Sequence, residues 1–91
     1  MRVVIYKDEG LWIAQALEHD ICAQAEDLKT VRTRLQLTAH AERQHAEANG
    51  KKPFDGIDPA PKHFHDMWDQ ASAFNDATSK DDDGIEMALC A

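Results

Sequence analysis

The residues of this chain with most scope for chemistry are its 5 histidines and its turn carboxylates. His63-Phe64-His65-Asp66 is the densest polar group. His63 and Asp66 stand at i, i+3, which puts both on one helix face and suits a shared proton or a divalent ion. The plainer reading is a surface pair near a helix start, where Asp66 also complements the dipole. His40 and His45 are five apart and fall on different sides of a helix, unlike the i, i+4 pair that holds zinc, so they read as solvated residues. Asp8, Glu9, Glu18 and Asp20 sit in two turns at strand ends. A two-metal nuclease needs carboxylates converging from strand interiors, and the strand interiors here carry none. There is no glycine-rich phosphate loop, no nucleophile elbow and no pair of motifs suggesting a triad. The expectation is a protein that is not an enzyme, with no catalytic residue, no metal and no cofactor.

Binding is the remaining class of function. A sheet that reads RNA needs exposed aromatics interleaved with Lys and Arg. Only Tyr6 and Trp12 are available, with Arg2 and Lys7 near them, and the acids of the turns outnumber those bases. Lys29, Arg32 and Arg43 can share one side of a helix, which a solvated helix face explains. The totals agree: 10 Lys and Arg against 17 Asp and Glu give a formal charge of -7, which disfavours nucleic acid and anionic membrane and suits a basic partner. Much of the imbalance is local, since residues 75–91 hold Asp76, Asp81, Asp82, Asp83 and Glu86 against Lys80. Cys22 and Cys90 make neither a disulfide framework nor a zinc motif, and no apolar run reaches signal-peptide or transmembrane length. A soluble, cytoplasmic protein without membrane contact is expected.

The elements that would position these residues can be read in order. Ninety-one residues suffice for one small domain. Arg2–Lys7 is a β-branched and aromatic run of strand length, and Lys7-Asp8-Glu9-Gly10 is a hairpin signal. A second strand follows over Leu11–Leu17, with Trp12, Ala14 and Ala16 on one face and Leu11, Ile13, Gln15 and Leu17 on the other. Glu18-His19-Asp20 turns the chain into a third strand, Ile21–Ala25. Asp27 is an N-cap before a helix in which Leu28, Val31 and Leu35 recur at helical spacing, and Asn49-Gly50 ends it. The half from Leu37 to Asn49 has few large side chains to bury and is expected to project beyond the sheet or meet another subunit.

Lys51–Pro61 holds three prolines and a glycine and reads as a connector that Phe54 and Ile57 can pin. Pro61 opens a short second helix with Phe64, Met67, Trp68 and Ala71 at i, i+3, i+4 and i+7. That face packs either on its own domain or across a dimer. From Asn75 the acidic run predicts a flexible tail, with docking of Ile85, Met87 and Leu89 as an extra edge strand or onto a partner as the alternative. The predicted fold is therefore α+β: a three-stranded antiparallel sheet covered by one long helix over residues 1–50, a proline-rich connector and short helix over 51–74, and a tail over 75–91. Tyr6, Trp12, Phe64, Met67 and Trp68 are the candidate partner-binding residues.

One resemblance sharpens this reading. Asp8-Glu9-Gly10-Leu11-Trp12-Ile13-Ala14 resembles the acidic-Gly-x-aromatic-x-Ala hairpin of HicB-type antitoxins and their stand-alone relatives. Gln15-Ala16-Leu17-Glu18-His19-Asp20-Ile21 is similar to a branch of that family reading C-L-E-L-D-I, and Ala23-Gln24-Ala25 to its S/A-Q-G before the helix. The match covers Val3 to Glu42, somewhat under half the chain. It implies a β-β-β-α unit, partly ribonuclease-H-like but lacking catalytic residues, that binds and blocks a small basic ribonuclease, HicA, and forms dimers or higher assemblies. The chain departs from the family at Ala25, where glycine is usual, and at Lys29-Thr30-Val31, where Glu-Glu-Ala is usual. Residues 51–91 also lack the basic strand and two helices of a DNA-binding carboxy terminus, so operator binding is not expected. The resulting expectation is a protein-binding module and homo-oligomer that neutralises a small basic toxin; an orphan RNA-binding or scaffolding dimer is the alternative.

Overall fold

The computed structural model describes residues 1–71, 79–80 and 85–90. Its elements are β1 (Arg2–Asp8), β2 (Leu11–Ala16), β3 (Cys22–Ala25), α1 (Leu28–Ala48), α2 (Lys62–Ala71), β4 (Ser79–Lys80) and β5 (Glu86–Leu89). The strands form one mixed sheet in the order β3-β2-β1-β5-β4.

The β1–β2 hairpin closes where its sequence says it should. Asp8 pairs with Leu11, leaving Glu9 and Gly10 as a two-residue loop with φ of 50° and 81°. Two positive φ values give the turn whose twist matches the strands it joins, and glycine takes its second position without strain. Antiparallel pairing then sets Val3 against Ala16, Ile5 against Ala14 and Lys7 against Trp12. These residues share one face, and their neighbours Val4, Tyr6, Ile13 and Gln15 share the other.

Helix α1 covers the first face. Asp27, in extended conformation, accepts from the Thr30 amide as N-cap. At the far end Lys51 N donates to Ala46 O at 2.8 Å and Gly50 N to Glu47 O at 3.2 Å, with Gly50 at φ 67°. These are the two bonds of a Schellman ending. Val31, Leu35 and Ala39 from α1 pack with Val3, Ile5, Ala14, Ala16 and Ala25 into the main core. Ala46 is buried further along, so the second half of the helix also contributes to the fold, whereas Leu37 is 63% exposed.

The sheet differs from the three antiparallel strands predicted by sequence. β5 pairs with β1 in parallel, setting Val3 against Met87 and Val4 against Ala88, and β4 adds to it antiparallel. The acidic segment, expected as a tail or alternatively as an extra edge strand, thus supplies an interior strand; residues 75–78, 81–84 and 91 lie outside those described. The reason is that β1 is apolar and buried on both faces, so its main-chain N–H and C=O groups are cut off from water and need a hydrogen-bonding strand on each edge. Ile85 and Met87 enter the main core, and Ala88 is buried on the opposite face beside Val4.

Helix α2 covers part of that opposite face, packing against β1 and β5. The connector between the helices runs past the end of the hairpin, where Ala60 N donates to Leu17 O at 2.9 Å and Asp20 N to Asp58 O at 2.7 Å. Phe54 anchors it, buried at a φ of 64° that costs a side-chain-bearing residue energy. The result is a layered helix–sheet–helix domain. Urea unfolding should show Leu35→Ala and Met87→Ala each costing about 2–5 kcal/mol, against about 0.5 kcal/mol or less for Leu37→Ala. A Met87→Ala variant as stable as the parent would remove β5 from the core.

Candidate partner-binding surfaces

The five residues singled out as partner contacts divide between the two faces. Tyr6, Phe64, Met67 and Trp68 come together on the α2 side, all half-buried. The Tyr6 and Phe64 rings lie 6.2 Å apart and tilted, and Met67 O receives a long contact from Cys90 Sγ at 3.8 Å. Trp12 lies across the sheet with the α1 core, its register partner Ala25 buried beside it and Lys7 Nζ 5.7 Å from its ring centre. Tyr6 and Trp12 therefore cannot form one stacking platform. The apolar side of α2 faces its own sheet, while Lys62, His63, Asp66 and Asp69 face outward.

Arg2 ties this face to the hairpin. Its amide donates to Glu18 Oε1 and its guanidinium Nε to Glu18 Oε2, both at 2.6 Å, while Cζ sits 5.8 Å from the Trp68 ring centre. Partial burial alone would raise the Glu18 carboxyl, but the two Arg2 hydrogen bonds and the guanidinium charge outweigh it and hold it below its usual range. Burial pushes the Tyr6 phenol and the Cys90 thiol up, with Asp8 adding to the effect on Tyr6.

The metal hypotheses find no support in placement. His63 and Asp66 are both exposed, and the His63 ring lies 3.9 Å from that of Phe64. No group of three or more His, Cys, Asp or Glu side chains converges among the described residues. His40 and His45 are exposed on α1. His19, which the sequence left in a turn, stacks on Phe54 at 4.4 Å between ring centres, and its Nδ1 is buried with no hydrogen-bond partner among the described residues. Arg43 approaches the other ring in this stack, its Cζ 5.7 Å from the Phe54 centre. The stack holds the connector, a structural task.

What the turn carboxylates do build is an acidic rim. The end of β1, the start of β2 and the end of β3 meet at one end of the sheet. Asp8, Glu9, Glu26 and Asp27 are gathered there, all exposed. The Asp27 carboxyl is held low by the Thr30 amide and hydroxyl it caps. Beside the rim, a groove of about 490 Å³ is lined by Leu11, Gln24, Ala25, Thr30 and Arg34 among others. Sequence reading weighed Asp8 and Glu9 as turn residues, as part of a hairpin motif and as metal ligands, and passed over Glu26. The signal available was that in a three-stranded meander the β1–β2 turn and the link from β3 to α1 open onto the same end, while Glu18 and Asp20 lie at the other.

No protein-family model, curated protein or solved structure matches this chain. No described helix is long and apolar enough to cross a membrane.

Two outcomes test this geometry. Trp68→Ala should lower the melting temperature and leave the solution mass unchanged, because its ring lies against Arg2 of its own chain; a lower mass would place Trp68 at a subunit contact. Glu18 titrates lower when folded, so its stabilisation is full above the ordinary glutamate value of 4.5 and is lost as pH falls through the folded value. The melting temperature of the parent should therefore fall more steeply below pH 4.5 than that of Glu18→Gln. Parallel acid limbs would show that the Arg2 contact contributes nothing.

Proposed function

We propose that this chain is a non-enzymatic protein-binding module of HicB-like type whose partner is a small basic protein, a HicA-type ribonuclease toxin being the leading candidate. The observation that carries the reading is the acidic rim: four exposed carboxylates, Asp8, Glu9, Glu26 and Asp27, at one end of the strand meander of a chain with net charge -7. Such a surface steers a basic partner and repels nucleic acid. The motif order from Asp8 to Leu28 supports the family, since hairpin, third strand and capped helix follow one another as the resemblance implies.

A scaffolding homodimer is the second reading. Leu37, 63% exposed on the outer side of α1 with exposed Ala41 one turn on, favours it. A binding module that dimerises would satisfy both.

Light scattering decides between them. Mixed with a HicA-like toxin at moderate salt, the chain should gain mass at a fixed stoichiometry, abolish RNA cleavage by the toxin and lose the complex as salt rises. No gain in mass would end the toxin reading. Alone, a mass near 10.2 kDa would end the dimer reading, whereas a doubled mass reduced by Leu37→Glu would establish it.

A further inference from the structure

We propose that the free edge of β3 is a strand-addition site for an extended segment of a partner protein that carries Lys or Arg at both of its ends. The inference rests on the protein-binding reading above and gives it a location. Ala16 N donates to Ile21 O at 3.0 Å, which fixes the phase of the β2–β3 ladder. Bonded pairs alternate along an antiparallel ladder, so Ala23 and Ala25 bond to β2 while the main-chain groups of Cys22 and Gln24 point away from the sheet. Arg34 Nη1 donates to the Gln24 carbonyl at 2.7 Å, confirming that this carbonyl faces outward. The Cys22 and Gln24 amides have no partner among the described residues.

β3 itself carries none of the devices that blunt an edge, and the side chain that covers part of it is that of Arg34 on α1. The β3 sequence, Cys22-Ala23-Gln24-Ala25, has no proline, no lysine and no charge, the usual devices against unwanted pairing.

Charge favours a basic occupant. Asp20 stands just before β3 and Glu26 just after it, both exposed. A second copy adding antiparallel, with Cys22 opposite Gln24, would set Asp20 of one chain against Glu26 of the other at both ends. Like charges directly opposite are destabilising. A strand ending in Lys or Arg turns both contacts favourable, and Arg34 releases the Gln24 carbonyl to the incoming amide.

The test uses the full chain, labelled with nitrogen-15, and a blocked peptide alternating Thr and Val between terminal lysines. At saturation the Cys22 and Gln24 amides should shift and exchange about tenfold more slowly. A peptide with terminal glutamates should do neither. Glu26→Lys, a surface change that leaves the fold intact, should weaken the lysine peptide roughly tenfold, and Gln24→Pro, which removes an outward amide, should abolish the protection. Unchanged exchange at these two amides, or equal protection by the acidic peptide, overturns the proposal. So does protection that grows with protein concentration without peptide, which would make a second copy the occupant. A basic toxin that binds the parent and Gln24→Pro equally would overturn the edge as docking site while leaving the partner reading intact. Protection by the lysine peptide with no toxin binding would support the edge and end the toxin reading.

Discussion

The structure depends on one constraint: β1 is apolar on both faces. Val3 and Ile5 point one way and Val4 the other, and all three are buried. Alternation of side chains across a strand means that no single layer can cover such a run. A helix is needed on each side of the sheet, and a strand on each edge of β1. Helix α1 with β2 meets half of that demand, and α2 with β5 meets the other half. The connector must then carry the chain from one face to the other without unpicking the hairpin. Its hydrogen bonds to Leu17 and Asp20, and the stacking of Phe54 on His19, hold it in that path. A phenylalanine held in the left-handed region shows how tightly the route is set.

Local chemistry was legible in the sequence wherever it decided structure. Glu9-Gly10 determines the hairpin turn, Asp27 the helix start and Asn49-Gly50 its end, and each is found in place. Val31 and Leu35 were readable as core from spacing alone. An extra edge strand over Ile85, Met87 and Leu89 was readable as the alternative to a tail; what escaped was its interior place in parallel with β1. Its residues, Glu86–Leu89, follow Asp81, Asp82 and Asp83, and the composition of the whole segment hides a short apolar stretch. A pairing between residues more than eighty apart leaves no local trace; the clue was the unbroken apolar run in β1, which asked for two neighbours.

The candidate surface was legible only in pieces. Placing Tyr6 and Trp12 together ignored register: Tyr6 pairs with Ile13 and Lys7 with Trp12, so the two rings fall on opposite faces. The apolar residues of α2 were read correctly as needing a surface, which their own sheet supplies. The carboxylates of the turns were individually obvious, yet their convergence depends on strand order. An outward-facing main chain at Cys22 and Gln24 is invisible to any reading of side-chain types, because it follows from the phase of hydrogen bonding.

The parallel pairing of β1 with β5 also bears on how the molecule is made. Contacts between segments so distant along the chain are slow to form, because loop closure must be completed before they stabilise anything. During synthesis β1 leaves the ribosome long before β5. The hairpin, β3 and α1 can associate early, but one flank of β1 stays unpaired and Val4 lacks its final cover until Ile85–Leu89 emerge. A nascent chain therefore carries an open, apolar strand edge until β5 has been made. Completion of the last strand is the step that turns an aggregation-prone intermediate into a closed domain.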